Sequence, residues 1–130
     1  MSGECHVIRT NAFRIEPGED ADTNPGRYGR AFAQFVADGM RAKGEPVEDI
    51  IPEDFGWCVR LGRNPFRWVG CGNRDGETDE WMAFAVVEAG LVKRLFGKGS
   101  IAKEMSRLSR LLLEVVRDAP GVTSCSTEQL

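Results

Sequence analysis

The sequence predicts an α+β protein: a two-layer sandwich in which an antiparallel meander of three to four strands is covered by two amphipathic helices, in the order β-α-β-β-β-α. Three observations carry this. Two segments repeat apolar residues at helical spacing, Tyr28 to Met40 and Ile101 to Val115. Between them lie segments that alternate with period two, joined by short turn-forming stretches that suit antiparallel neighbours. Two helices with one apolar stripe each need a surface to cover, and a sheet supplies it.

Residues 1–11 read as a tail, followed by a short strand over Ala12–Glu16 that Pro17 and Gly18 end. Asn24 is placed to cap a helix and Pro25 suits its first position, where a missing N–H costs nothing. Tyr28, Ala31, Phe32, Phe35, Val36 and Met40 then form one stripe, and Gly44 with Pro46 stops it. The expected helix is Pro25–Lys43. Val47–Ile51 starts a strand that Pro52 confines to an edge or a loop.

From Phe55 the alternation is clear. Phe55, Trp57, Val59 and Leu61 point one way, and Gly56, Cys58, Arg60 and Gly62 the other. Arg63-Asn64-Pro65 supplies a turn. Phe66, Trp68 and Gly70 then share a face opposite Arg67, Val69 and Cys71. A turn at Asn73–Gly76 leads to Trp81–Glu88, apolar on both faces and therefore expected at the centre of the sheet. Gly97-Lys98-Gly99 is expected to break a short helical turn before Ser100 caps the last helix. Pro120-Gly121 ends that helix, and residues 122–130 read as a fraying tail.

A chain of 130 residues, 42% of them hydrophobic, fits one domain with a core of its own. Its net charge of −3 gives no general pull toward nucleic acid or membrane, and no apolar run of about eighteen residues is present. The first residues lack a basic stretch and an apolar core, so no secretory signal is read and the expected location is the cytoplasm. There the four cysteines, Cys5, Cys58, Cys71 and Cys125, stay reduced. No C-x-x-C occurs, so neither a zinc site nor a disulfide framework is expected. With a tight turn at 63–64, Cys58 falls opposite Val69 and one diagonal step from Cys71, both packing as small hydrophobes. Trp57, Trp68 and Trp81 lie on adjacent strands. Core packing is one reading for them, and a partly exposed aromatic surface that anchors a partner is the other.

Catalytic patterns fail by count. The single histidine, His6, falls in the N-terminal tail beside Cys5, where a chance surface pair is the expected reading over a metal or thiol site. GLVKRLFGKG has six residues between its glycines and no Ser or Thr after Lys98, so it is no phosphate loop. Gly70–Gly76 is one residue too long for a dinucleotide fingerprint, and Asp75–Glu80 lacks a calcium-loop spacing. No cofactor, metal or catalytic residue is expected. The basic stripe Lys103, Arg107, Arg110 and Arg117 lacks the aromatic interleaving of a nucleic-acid surface.

Charge is uneven. Residues 1–56 carry eleven acidic and six basic side chains, and residues 89–130 carry four acidic and seven basic. The order of elements and Glu53-Asp54-Phe55-Gly56-Trp57 at the start of a hairpin resemble small bacterial single-domain α+β proteins of unknown function, some of them immunity proteins that neutralise toxins. The resemblance matches no catalytic residue and implies a protein-binding role.

The first expectation is therefore a small protein-binding protein rather than an enzyme, an inhibitor of a toxin or enzyme with a basic face. Its patch is Glu53, Asp54, Asp75, Glu77, Asp79 and Glu80, with Trp57 as a possible anchor. The second is a small-molecule-binding domain or small enzyme with a pocket between sheet and helices, where Tyr28 and Arg27 or Arg60 would be the polar groups. The third is a homodimer or larger homo-oligomer that uses surplus apolar surface.

Overall fold

The computed structural model describes residues 3–62, 67–74, 76–88 and 90–130, with the side chains of 90–98 and 100 left aside. The turn Arg63-Asn64-Pro65, Phe66 and Asp75 lie outside the described residues. The chain is α+β, with six strands and two α-helices among the described residues: β1 (Glu4–Arg9), α1 (Arg30–Ala42), β2 (Val47–Glu53), β3 (Gly56–Leu61), β4 (Arg67–Asn73), β5 (Glu80–Val87), α2 (Gly90–Arg117) and β6 (Ser124–Gln129). They form one antiparallel sheet in the order β2-β3-β4-β5-β1-β6. As expected, β2 with its Pro52 is an edge strand and β5 is interior.

The sheet is larger than the sequence suggested because both presumed tails are strands. Cys5, Val7 and Ile8 are buried on two faces, and β1 is inserted between β5 and β6. β6 pairs with β1 from Glu4↔Gln129 to Arg9↔Ser124 while all six of its residues stay exposed. Backbone pairing and polar side-chain bonds at Thr127 and Glu128 hold it, so it lacks the apolar alternation that marks a strand.

Ala12–Glu16 is not a strand. Its Phe13 closes one end of the core, with ring centroids 5.1 Å from Phe32, 5.4 Å from Phe35 and 5.9 Å from Trp81.

Helix α1 starts at Arg30 rather than Pro25. Asn24 donates its side-chain amide to the Asp54 carbonyl and caps nothing. The cap comes from Glu19, buried ten residues upstream, whose Oε2 accepts the N–H groups of Gly29 (2.8 Å) and Arg30 (3.1 Å). A carboxylate there satisfies orphan donors and lies at the positive end of the helix. Helix α2 runs through the glycines that were expected to break it.

Both helices lie on one face of the sheet. Phe32, Val36 and Met40 from α1 and Leu108, Leu112 and Val116 from α2 are fully buried against Trp57, Val59, Leu61, Val69, Cys71, Trp81 and Ala83. An ion network crosses the same layer. Arg67 Nη1 reaches Glu45 (2.5 Å) and Glu104 (2.9 Å), and Arg107 bonds both carboxylates from outside. These bonds tie β4, α2 and the loop before β2 together and hold both glutamates below the usual carboxylate range. For Glu45 this happens against the opposing effect of burial.

Candidate protein-binding face

The other face of the sheet carries no helix, and its side chains follow from the register. One row crosses all six strands as Ile51, Cys58, Gly70, Phe84, Cys5 and Glu128. A neighbouring row holds Asp49, Arg60, Trp68 and Val86. Gly70 makes the surface possible. A Cβ added there would come within 2.3 Å of the Phe84 ring, so Phe84 lies flat on bare backbone. Phe55 occupies the two-residue turn between β2 and β3, which frees it from strand alternation, and it joins the uncovered face rather than the face of Trp57. Phe55, Trp68 and Phe84 form a half-exposed trio with centroids 6.0, 5.5 and 5.8 Å apart. Edge-to-face and offset contacts of this kind hold rings in fixed positions.

A shallow depression of about 350 Å³ flanks the trio beside Ile51, Glu53, Cys58 and Glu88. Another of about 430 Å³ opens on the other side toward Asp54, Arg27 and Met82. Glu88 accepts the Trp68 indole N–H at 3.0 Å and so fixes that ring. Among the described residues Glu53, Asp54 and Glu88 have no cationic partner, whereas Arg60 is neutralised by a two-pronged pair with Asp49 (2.6 Å for one prong). That pair lowers the Asp49 carboxyl, mainly through the hydrogen bond, and raises the Arg60 guanidinium. The rim of the aromatic patch is therefore net negative.

The expected acidic patch is brought together only in part. Register places the β2–β3 turn and the β4–β5 loop at the same end of the sheet. Glu53, Asp54 and Glu77 are exposed there. Asp79 and Glu80 are not spare acids: Arg9, opposite Glu80 in the sheet, bonds Asp79 at 3.0 Å and Glu80 at 2.9 Å, and Arg74 adds a longer contact to Glu80. Trp57 is buried on the helix-covered side and cannot serve as an exposed anchor. The half-exposed indole on the uncovered face is that of Trp68, whose face-sharing glycines, Gly70 and Gly72, are the sequence signal for it. Of the polar groups expected in a pocket, Arg60 lies on the uncovered face, Arg27 lines the depression beside Phe84, and Tyr28 is half-buried.

Of the thiols, that of Cys58 borders the patch. The Cys58↔Gly70 and Trp57↔Cys71 register differs by one residue from the expected one, which puts Cys58 on the uncovered face and Cys71 in the core. Burial pushes the Cys58 thiol up to about 11 and raises those of Cys5 and Cys71 as well. No metal-binding group of His, Cys, Asp or Glu occurs among the described residues. Cys125 alone is exposed. Iodoacetamide at neutral pH should alkylate one thiol per native chain rapidly, at Cys125, as read by mass spectrometry. Fast labelling of Cys58 would contradict this placement.

His6 also leaves the tail. It is buried, its Nε2 bonds the Ser109 carbonyl at 2.9 Å, and its Nδ1 bonds Thr127 Oγ1 at 2.9 Å. The carbonyl can only accept, so Nε2 carries the proton and cannot take one from Ser109. The Ser109 hydroxyl donates instead to Glu4 at 2.8 Å. The arrangement is a structural clasp, not a nucleophile and base. Desolvation lowers the His6 pKa below 6.5, so the fold holds the neutral ring. Stability is complete above pH 6.5. As pH falls from there, the unfolded chain binds a proton the folded chain resists, and stability declines by at most about 1.4 kcal/mol per pH unit until the folded value is reached. Urea unfolding at pH 7.5 and 5.5 should show this loss, and His6→Gln should shrink it.

No helix among the described residues is long and apolar enough to cross a membrane. Compared with protein-family models, with curated proteins and with solved structures, the chain matches none. Fold and site define a class in structural terms: a six-stranded α+β sandwich with helices on one face and an aromatic, acid-rimmed patch on the other.

Proposed function

We propose that this protein binds another protein through the uncovered face of its sheet, as an inhibitor of a toxin or enzyme that presents a basic segment. The observation that supports this most is the Phe55–Trp68–Phe84 trio with Glu53, Asp54 and Glu88 around it, carboxylates that have no cationic partner among the described residues. Half-exposed aromatics give a large contact area at low conformational cost, and tryptophan is the residue type that most often dominates binding energy. Arginine or lysine of the partner would lie over the ring faces and reach the rim carboxylates. The acids at the end of the sheet would steer encounter, so association slows as salt rises. Blocking a basic active site in this way inhibits without chemistry.

The test is affinity capture with the wild-type chain and with two folded variants, Trp68→Ala and Glu53→Lys/Asp54→Lys. One protein retained by the wild type and lost by both variants, with slower association for the charge variant at low salt, supports the reading. The same proteins on all three baits overturn it. A wild-type dimer that Trp68→Ala dissociates would instead assign this face to a second copy of the chain.

A further inference from the structure

We propose that a second site lies on the opposite side of the sheet, in the cleft between the first half of α1 and strands β2 and β3, and that it takes a small organic carboxylate carried on a flat apolar body. The cleft encloses about 590 Å³ and is lined by Arg30, Ala31, Gln34, Ile50 and Trp57, with charged residues at its mouth. One cation in it lacks a partner. The Arg30 guanidinium lies 5.5 Å over the Trp57 ring and makes no ion pair or side-chain hydrogen bond among the described residues. The Trp57 indole N–H is buried without an acceptor, a condition folded proteins rarely tolerate.

The acids of the cleft are already engaged. Glu19 spends its carboxylate on the N–H groups of Glu16, Gly29 and Arg30, and Asp49 is bound by Arg60. Glu16 pairs with Arg14 at 3.3 Å, and both are largely exposed. Arg41 has a single 3.4 Å contact, to Asp38. Three arginines and three carboxylates line the cleft, which is neutral overall, and among the lining cations Arg30 is the one without an anionic partner.

The ligand class follows from which donors remain. A phosphate seeks the N–H groups at a helix start, and here Glu19 occupies them. What remains is one planar guanidinium, whose fork matches the two oxygens of a carboxylate, stacked over the Trp57 ring. Ile50, Ala31 and the edge of Trp57 supply apolar wall for the body of the ligand.

Benzoate is the probe, titrated into ¹⁵N-labelled protein while the Trp57 indole signal is followed; Trp57→Phe assigns that signal. Benzamide supplies the same flat body without charge, and inorganic phosphate supplies charge without the body. The expected result is a saturable shift with benzoate, weaker by about tenfold in Arg30→Gln and intermediate in Arg30→Lys, and no shift with benzamide. An unchanged Trp81 indole signal certifies the fold of each variant. No saturable shift, equal affinity in Arg30→Gln, or phosphate binding as well as benzoate would each overturn the proposal. Because Trp68 and Glu53 lie on the other face, variants there leave this titration unaltered, and failure of either site does not imply failure of the other.

Discussion

Replacing Trp81 with alanine is expected to cost about 3–5 kcal/mol of folding stability, the range for large aromatic truncation in a packed core. Trp81 is fully buried, its ring contacts Phe13 and Phe32, and its indole N–H donates to the Thr10 carbonyl at 3.1 Å. Truncation removes the packing and also orphans that carbonyl. Against a domain stability of roughly 5–15 kcal/mol, the loss is a large share of the whole. Trp68 provides the contrast. It belongs to the same sheet but is half-exposed, with Phe55 and Phe84 as its main company. Trp68→Ala should cost less than about 1.5 kcal/mol. Chemical denaturation of the two variants side by side distinguishes the covered face from the uncovered one. Equal losses would mean that the faces are wrongly assigned.

The second large effect concerns binding. Once a partner is captured, Trp68→Ala should weaken it by about 30-fold or more, and Phe55→Ala with Trp68→Ala by well over 100-fold, because central aromatic anchors contribute roughly 2 kcal/mol or more each. Phe84→Ala should weaken binding too, through loss of the ring that positions the other two over Gly70. Isothermal titration or surface-immobilised kinetics reads all three. The effect should fall on dissociation rates, whereas Glu53→Lys/Asp54→Lys should act on association and lose its effect in high salt.

The class of fold was legible because both helix stripes and the alternation of β3 and β4 are strong signals. The apolar doubling of Trp81–Glu88 correctly marked an interior strand. β1 and β6 were not legible, for opposite reasons. Cys5–Ile8 is buried on both faces but only four residues long, interrupted by the polar His6 and close to the start of the chain. Ser124–Gln129 has no apolar face at all, since it caps the exposed edge of β1 through backbone bonds. The cap of α1 was missed because Glu19 acts across an intervening loop, and local spacing rules see only neighbours such as Asn24. The candidate site was half legible. Glu53 and Asp54 were visible as exposed acids beside a hairpin. Trp57 stood in for Trp68 because the faces of a hairpin can be assigned to inside or outside only when its register and its neighbours are known, and a one-residue slip reassigns the pairs. Asp79 and Glu80 read as free acids because their partner, Arg9, lies 70 and 71 residues away in sequence.

Hydroxyl-radical footprinting with mass spectrometry, on the free chain and on its complex with the captured protein, tests the central claim most directly. In the free chain, oxidation should reach Phe55, Trp68 and Phe84 and spare Trp57 and Trp81; in the complex, protection should appear at the first three. Oxidation of Trp57 or Trp81 in the free chain, or protection confined to the helices, would contradict the claim that the bare side of the sheet is the working surface.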